Sequence, residues 1–509
     1  MNLRQGLGLF IVSCHLVVKM RSTVLATVAL SGFVLTLADG KGKGKGKGND
    51  RIRTIYKDVA IIGGGASGSY SAVRLREDYN VSVVVIEKNS NLGGHVNTFI
   101  DPVTGRGFDC GVQNWIEIGG ARAFFERFGV EMQPNVRSTA ETVSIDFTNG
   151  EKLTNYSPPS ASDRTAALQR YLEVAESFLP VLEPGWWTFP LPQDIPADLL
   201  LPFRDFVAKY NLTAAVPMFH ATTGFGIHDM MGHLTVWFMR SFNVNLVRVL
   251  LGIETSIVPV SRKNQDLYDR ILTSLGADAL TSTTVISTEE RSSRKGVTLI
   301  VRNSATGVKT RIVAKRLLYT AIPSEANTSP LDLDREERST LGEFNYSASY
   351  VGVVSHPSLP LNKSLVNVPA SAQPANWPEA IPDYPYNTRF ENYADSSYFR
   401  LIAVGDQTFT AAQAKKVIED SFDKLVEGGV VNQTSPAQRL TFHMFEPHGL
   451  VSAYVTKEKL EGGFIQRLNG LQGRRGTWYT GASWGVHLST SLWIFTDTVL
   501  ERLVGDLRG

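Results

Sequence analysis

The sequence predicts an α/β fold centred on a Rossmann-like nucleotide-binding domain, and two observations support this prediction. First, the β-branched run Val59–Ile62 leads directly into the glycine-rich turn Gly63–Gly68 and then into a helical stretch. Second, another buried strand, Val81–Ile86, follows that helix and ends at Glu87. Together these segments form a β-α-β unit of about 30 residues, with an acidic residue about 20 residues after the glycines.

The bulk composition excludes several classes of protein. The chain has 509 residues, which suits two or more domains, and its 43% hydrophobic and 20% charged residues are typical of a globular protein. Its net charge of +2 is too small to indicate nucleic acid as a partner. No His, Cys or Asp cluster has the spacing of metal ligands, so we predict no metal site. We expect a small-molecule substrate, while the oligomeric state stays open.

Residues 1–38 have the features of a secretory signal peptide. Lys19 and Arg21 precede an apolar run that ends in small residues and is shorter than the roughly 20 residues needed to span a bilayer. Translation begins either at Met20, giving an ordinary signal peptide, or at Met1, giving a longer signal or anchor. Residues 39–55 include a Lys-Gly repeat and are expected to be a flexible linker. We therefore expect a secreted or secretory-lumen protein with no stable membrane span after cleavage.

Cysteine and asparagine usage fits this compartment. Cys14 lies in the predicted signal, so Cys110 is the one cysteine of the mature chain and no internal disulfide can form. The chain also carries Asn-x-Ser/Thr triplets, which are N-glycosylation acceptors and predict a glycoprotein. They begin at Asn155, Asn211, Asn327, Asn345, Asn362 and Asn432.

Each part of the β-α-β unit suits a dinucleotide. The first glycine permits the tight turn, the next allows the backbone to approach a pyrophosphate, and the last allows the helix to pack closely on the strand. The helix start offers free N–H groups and the positive end of its dipole to phosphate. The acid after the second strand can accept hydrogen bonds from ribose hydroxyls. The predicted cofactor contacts here are Gly63, Gly65, Ala66, Ser67, Gly68, Glu87 and Lys88.

The segment that follows resembles the flavin-containing amine oxidase superfamily. That superfamily extends the nucleotide fingerprint with a Gly-Gly-Arg-x-x-Thr stretch and an Asp-x-Gly; the matching residues are Gly93, Gly94, Thr98, Asp109 and Gly111. The usual Arg is His95 here, which is charged only at lower pH. The resemblance implies FAD as the cofactor, with Gly93, Gly94 and His95 beside it. Within the superfamily the chain is similar to fungal β-cyclopiazonate dehydrogenase-like enzymes.

The C-terminal run 476–489 resembles the superfamily's last motif, in which a strand turns into a helix beneath the flavin. The resemblance implies cofactor contacts from Gly481, Ala482 and Trp484, although Ala482 stands where an Asp is usual. The helix start would place partial positive charge beside the flavin ring. Val285 lies in the segment where relatives hold the adenine side with backbone.

The resemblance also implies a discontinuous domain organisation. An FAD-binding domain of the glutathione-reductase-like, amine oxidase type takes residues 56–124, 261–323 and 441–509. Residues 125–260 and 324–440 then form an inserted α+β substrate domain. Its many aromatic residues suit an apolar pocket over the flavin, although aromatic side chains at helical spacing are commonly core residues.

Flavin dehydrogenation needs an acceptor for the proton that leaves the substrate N–H or O–H. The candidates are His487, His443 and His448, each of which can equally be an ordinary hydrogen-bonded histidine. His487 is the best placed because it follows the flavin-contacting turn. Tyr479 and Trp484 are expected to wall the pocket.

We therefore predict an amine-oxidase-like, FAD-dependent oxidase or dehydrogenase that oxidises an amine or amine-bearing secondary metabolite by two electrons. One alternative is a flavin-dependent isomerase or desaturase of a lipid or polyene. Another is a secreted FAD-binding protein without turnover. The residue order names neither the substrate nor the electron acceptor.

Overall fold

Two large β-sheets organise the chain, and the computed structural model describes residues 52–136, 140–223, 226–227, 229–432 and 438–509. The predicted signal peptide and the linker up to Arg51 lie outside these residues. Among the residues that are described, no helix is long and apolar enough to cross a bilayer.

The strands and helices follow one another in a mixed α/β order. The strands are β1 (Arg53–Ile62), β2 (Val83–Ile86), β3 (Thr98–Ile100), β4 (Gly107–Asp109), β5 (Trp115–Ile116), β6 (Met132–Pro134), β7 (Glu141–Asp146), β8 (Glu151–Lys152), β9 (Ser256–Pro259), β10 (Ala279–Leu280), β11 (Thr283–Ser292), β12 (Gly296–Asn303), β13 (Lys309–Tyr319), β14 (Asn345–Ser355), β15 (Lys363–Asn367), β16 (Tyr386–Asn387), β17 (Arg389–Asn392), β18 (Phe399–Asp406), β19 (Thr441–Tyr454) and β20 (Thr477–Tyr479). The helices are α1 (Ala66–Val73), α2 (Ala121–Arg127), α3 (Ala161–Ser177), α4 (Leu179–Leu182), α5 (Phe203–Lys209), α6 (Val216–Thr222), α7 (Thr235–Ser241), α8 (Val244–Leu250), α9 (Gln265–Leu275), α10 (Glu325–Thr328), α11 (Arg335–Leu341), α12 (Ala411–Glu427), α13 (Lys457–Glu461), α14 (Phe464–Gly470) and α15 (Ser489–Arg508).

The first sheet confirms the predicted Rossmann-like domain. Its strand order is β10-β2-β1-β13-β12-β11, and β20 pairs with the last part of β13. The pairs among β10, β2, β1, β13 and β20 are parallel, whereas β11 and β12 form an antiparallel meander on β13. Helices α1, α9 and α15 pack together on this domain, as the apolar faces of crossover helices must.

The register of this sheet sets where a ligand can bind. Ile62, at the end of β1, pairs with Ile86 and with Tyr319, and Tyr319 pairs with Tyr479. Four parallel strands therefore end at the same level, and the turns that follow them meet at one edge. In open α/β sheets this carboxyl edge is the ligand-binding edge.

The second sheet has the strand order β19-β14-β18-β17-β15-β7-β8, with β16 paired to β18. One face packs on α12 through residues such as Leu401 and Ala403, and helices α3–α8 form the other part of this inserted region. Strand β19 lies in this sheet, although residues 441–509 were assigned to the cofactor domain. The difference arises because β19 pairs with β14 along its length before the chain returns to β20 in the first sheet.

Several local elements differ from the sequence expectations. Apolar residues keep a helical spacing through Leu234–Leu251, which predicts one helix. The structure has two helices, α7 and α8, separated at Phe242–Asn243, where the Asn243 side chain caps α8. The stretch 357–386 is dense in proline, a composition that favours a surface loop or a lid-like crossing. It contains β15, which is paired on both sides, with β7 and β17. The five residues of β15 fit between prolines, so proline density alone does not indicate its buried position.

Candidate active site

The glycine-rich turn after β1 forms a phosphate-sized cradle. Helix α1 begins after Gly65, whose position as N-cap provides no side chain to bond the first N–H groups of the helix. The turn is tightly packed below, because a Cβ on Gly68 would lie 1.9 Å from the Gly63 carbonyl oxygen. The helix start is therefore fixed against the strand, with its N–H groups left for an anion.

A second glycine pair closes this cradle from the side. The Gly93 N–H donates to the Gly64 carbonyl at 2.9 Å. Gly94 has φ of +60°, and a Cβ there would lie 3.0 Å from the Gly65 Cα. Only glycine permits this backbone approach without strain. The two glycine segments, separated in sequence, thus form one narrow backbone cleft of the kind that a diphosphate requires.

The acid at the end of β2 lies directly beside this cleft. Glu87 is buried and accepts hydrogen bonds from the N–H groups of Gly64 (2.7 Å) and Asn89 (2.8 Å). Its backbone carbonyl accepts from the Thr283 N–H at 2.8 Å, which brings the start of β11 and the half-buried Val285 to the same edge. Lys88 is exposed to solvent.

The C-terminal motif meets the same edge of the sheet. The Thr480 N–H donates to the Tyr319 carbonyl, which aligns the turn at Gly481 with the turn after β1. Trp484 is buried and stacks on Tyr479, with ring centroids 4.9 Å apart. The Trp484 indole and the Tyr479 phenol therefore both pack in the core. Ala482 is half-buried beside a small space next to His487.

Helix α15 begins at the cavity rather than in solvent. Its N-cap, Leu488, provides no side-chain cap, and Leu488, Ser489 and Thr490 line a cavity of about 400 Å³. Trp493, one turn on, donates to the Ala66 carbonyl at 3.2 Å and stacks on Tyr70. The positive end of a 20-residue helix dipole thus faces the cavity and is held against α1.

This cavity lies between the cofactor segments and the second sheet. It has the size of a small-molecule site. Its walls include His95, Cys110, Gly111, Gln113, Trp115, Thr222, Leu246, Ser349, Val351, Arg400, Ile402, His448, Val451, Ser452, His487 and Ser489. Burial raises the pKa of the Cys110 thiol to about 12, so this thiol stays protonated and unreactive.

Two of the predicted residues form an imidazole pair. The rings of His95 and His448 stack with centroids 4.2 Å apart and an angle of 9°. His95 Nε2 donates to the His448 carbonyl at 3.2 Å, and His448 Nε2 donates to Asn97 Oδ1 at 2.8 Å. Both partners are acceptors, so each ring carries its proton on Nε2. Burial lowers the pKa of both rings, and the adjacent His95 lowers that of His448 further, which keeps the pair neutral.

His487 differs from this pair because its ring has no hydrogen-bond partner among the described residues. Its backbone N–H donates to the Arg240 carbonyl at 3.3 Å, which fixes the main chain while the ring lines the cavity. Burial, followed by the nearby His95 and Arg240, lowers the pKa of His487 to about 4. A neutral imidazole with a free lone pair therefore faces the cavity.

The third predicted histidine lies elsewhere. His443 is exposed on β19, where its Nε2 lies 2.8 Å from Ser355 Oγ and its ring packs edge-on to Tyr398. It is not among the residues that line the cavity. His443 and His448 are five positions apart on β19, an odd offset that favours opposite faces of a strand. Bulges against β14 also interrupt the pairing at both residues, so their side chains lie in different environments.

Other site residues carried no signal in the sequence. The Thr320 hydroxyl donates to the carbonyls of Ile62 (3.0 Å) and Gly63 (3.1 Å) and supports the phosphate turn. Gln265 donates to the Leu92 carbonyl at 3.0 Å and holds the loop before Gly93. These contacts join segments 173 and 258 residues apart in sequence, and the spacing of residues along the chain does not predict contacts over such separations.

Comparisons with known proteins agree with this geometry. Residues 61–128 match the family model of the NAD(P)-binding Rossmann-like domain. The chain is 31% identical to the FAD-dependent oxidoreductase pigF of Monascus ruber over 448 residues, which cover 88% of this chain and 91% of that protein. It is 30% identical to β-cyclopiazonate dehydrogenase of Aspergillus flavus over 459 residues, 88% of this chain and 93% of that protein. The chain belongs to the FAD-dependent oxidoreductases. It is therefore a flavoprotein, and the expectation of FAD as the cofactor is confirmed.

Several solved structures share the fold of this FAD-dependent oxidoreductase. The CLA-producing fatty acid isomerase from P. acnes superimposes with a TM-score of 0.65 at 15% identity, covering 88% of this chain and 98% of that chain. Cyclohexylamine oxidase from Brevibacterium oxydans gives 0.57 at 16% identity, covering 89% and 100%. At these identities the likeness establishes the fold alone, and the chemistry has to be inferred from the residues of the site.

Proposed function

We propose that this FAD-dependent oxidoreductase dehydrogenates a small organic molecule by two electrons, with His487 accepting the proton that leaves the substrate. The observation that carries the proposal is the neutral imidazole of His487, which has no hydrogen-bond partner among the described residues. It lies in the cavity that α15 and the His95–His448 pair also line. A hydrogen-bond acceptor at this position can take a substrate N–H or O–H proton.

The chain's own residues fit FAD. The uncapped start of α1 and the Gly65–Gly94 cleft would hold the diphosphate, and Glu87 would hold a ribose. When bound, FAD supplies the capacity to accept two electrons from a substrate C–H bond. The start of α15 would offer partial positive charge to the flavin ring. Ala482 offers no carboxylate, so ribitol binding would rest on backbone groups.

The stacked His95 and His448 would help to position the substrate, and they would not transfer its proton. His95 and His448 use their Nε2 protons to bind the His448 carbonyl and Asn97, so neither proton is free for the substrate. Their rings form one flat, neutral wall of the cavity. Because this wall stays uncharged, it adds no positive charge near His487.

The substrate proposed from the sequence is an amine or amine-bearing metabolite. None of the described residues that line the cavity is Asp or Glu, so an ammonium group would find no counter-ion there. We therefore propose that a substrate nitrogen enters in its neutral form, as an unprotonated amine, amide or heterocycle nitrogen. The aromatic and aliphatic lining would bind the rest of the molecule.

The test compares His487→Gln with His443→Gln, which makes the same change outside the cavity. Holoenzyme of each is mixed anaerobically with a panel of aromatic amines and amine-bearing heterocycles, and bleaching of the flavin band is timed. We expect His487→Gln to keep its FAD and to slow bleaching by about 100- to 10,000-fold, with His443→Gln unchanged. Equal rates in both variants would exclude His487 as the proton acceptor. A wild-type protein that takes up no FAD would refute the proposal as a whole.

An isomerase or desaturase is the alternative, and electron balance separates it from a dehydrogenase. The fold shared with a fatty acid isomerase and the apolar residues among the cavity lining both support this alternative. A dehydrogenase consumes one equivalent of electron acceptor for each product formed. An isomerase returns its electrons and consumes none, so acceptor consumption measured against product decides between them.

A further inference from the structure

A cationic cluster lies on the face of the second sheet that looks into the cavity. Arg400 on β18 and Glu391 on β17 are cross-strand partners, and Arg389 lies two residues before Glu391 on the same face. Arg400 Nε donates to Glu391 Oε2 at 2.9 Å, and Arg389 Nη1 lies 3.8 Å from the same oxygen. One carboxylate thus serves two guanidinium groups, and the cluster carries a net charge of +1.

Both guanidinium groups are almost fully shielded from bulk solvent. Their side chains are only 11% (Arg400) and 12% (Arg389) exposed. Arg389 donates through Nη2 to the Ala221 carbonyl at 2.9 Å, and its buried Nε has no partner in the part of the chain that the structure describes. Arg400 places both Nε and Nη2 on Glu391, which leaves Nη1 without a partner among the described residues. A shielded cation with spare donors is costly unless an anion binds beside it.

Nothing else in the described wall of the cavity offsets this charge. The three histidines there are neutral, and no described lining residue is acidic, so Arg400 carries the one formal charge. Two nearby carboxyl groups lie outside the lining. Asp109 accepts from the Thr98 hydroxyl and the Asn264 N–H, and Glu446 lies on β19. The local field in the cavity therefore favours a negative group.

We propose that the substrate of this enzyme carries an acidic group, a carboxylate or an acidic enol, which binds Arg400 at the sheet side of the cavity. The inference rests on the proposed function, because it takes this cavity as the substrate site. The acidic group would occupy the unused donor of Arg400 while the reacting C–H bond lies on the cofactor side. Arg400 would thus select the substrate and fix its orientation.

Binding of charge-matched probes to the holoenzyme tests this directly. Calorimetry with cinnamate, cinnamamide and cinnamylamine compares an anion, a neutral molecule and a cation of one shape. We expect cinnamate to bind about 30-fold or more tightly than cinnamamide, and cinnamylamine to bind most weakly. The pair 4-hydroxycoumarin and coumarin makes the same comparison for an acidic enol and shows which of the two acid types the site prefers. Equal affinities for the anionic and neutral probes would overturn the inference.

Two substitutions of opposite sign separate charge from structure. Arg400→Gln removes the cation and should reduce cinnamate affinity to that of cinnamamide, which itself stays unchanged. Glu391→Gln removes the competing carboxylate and should tighten cinnamate binding. General damage to the cavity would weaken all probes in both variants, and that result would also overturn the inference. If a variant does not fold, the wild-type probe series alone decides.

The failure of this inference is distinct from failure of the proposed function. FAD content is read from the visible spectrum of the same sample, and probe binding is read as heat. Protein that binds FAD and dehydrogenates but does not prefer acids refutes the role of Arg400 alone. Protein without FAD that still prefers cinnamate refutes the proposed oxidoreductase activity and leaves the anion site standing.

Discussion

Replacing Gly65 by Ala should separate cofactor binding from folding. The backbone at Gly65 has φ of −70°, which any residue adopts, and a Cβ there would meet the Gly94 Cα at 3.7 Å, an ordinary contact. The added methyl group therefore fits the protein. It would project into the cleft between the two glycine segments, where the diphosphate is expected to lie against the start of α1.

The magnitude follows from the contacts that the methyl group would prevent. Hydrogen bonds from N–H groups to a charged phosphate contribute about 1.5–3 kcal/mol each. Losing one of them costs about 1.5–3 kcal/mol, or roughly a 10- to 150-fold weaker Kd for FAD. Protein stability should change by less than about 1 kcal/mol, because Ala is a poorer N-cap than Gly but also restricts the unfolded chain.

The assay is FAD titration of cofactor-free protein, followed by flavin fluorescence, together with urea unfolding of the same samples. Gly505→Ala is the matched control, because Gly505 lies within α15 and nothing would lie within 4 Å of its Cβ. We expect this control to bind FAD normally. If Gly65→Ala binds FAD with wild-type affinity, the diphosphate does not lie at this cleft.

Three further outcomes are expected. Burial lowers the pKa of His220 to about 3 and that of His487 to about 4, so the unfolded chain binds protons first as the pH falls below about 6.5. Cofactor-free protein should then lose stability between pH 6.5 and 4, by about 3 kcal/mol for His487 alone. A urea midpoint independent of pH in this range would show that the two histidines do not have lowered pKa values in the folded protein. Glu337→Gln should destabilise the protein by about 3–5 kcal/mol, because it leaves the fully buried Arg291 unpaired, whereas the exposed control Glu289→Gln should cost less than about 1 kcal/mol in the same denaturation assay. Secreted protein from a eukaryotic host should shift in gel mobility on treatment with N-glycosidase, and an unchanged band would argue against the secretory route; the exposed acceptors are Asn155, Asn211, Asn327, Asn362 and Asn432.

Prediction from the sequence succeeded where one contiguous segment carries the whole signal. The β1–α1–β2 unit is such a segment, since its strands, its turn and the acid that follows are neighbours along the chain. The Gly93–Gly94 pair and the turn at Gly481 were identified through a resemblance, because each is a short motif with fixed glycines. All of these lie at the carboxyl edge of the first sheet, as the parallel order of its strands requires.

The histidines show the limit of that approach. The three candidates are all histidines in the C-terminal 70 residues, and the sequence alone does not indicate which of their side chains points into the cavity. Pairing of β19 with β14, interrupted by bulges, leaves His443 exposed and turns His448 into the cavity beside His95. Burial then sets their charge, which depends on neighbours from other segments.

The sequence by itself thus determined the cofactor class and the Rossmann-like domain, because a dinucleotide is bound by backbone groups within short, locally folded motifs. Only the tertiary structure decided the substrate side. Strand pairing joins Arg400, which lines the cavity, to Glu391, and Asn97 reaches His448 across 351 residues. The charges and proton positions in a cavity depend on which side chains contact one another there. The order of residues along the chain does not determine those contacts.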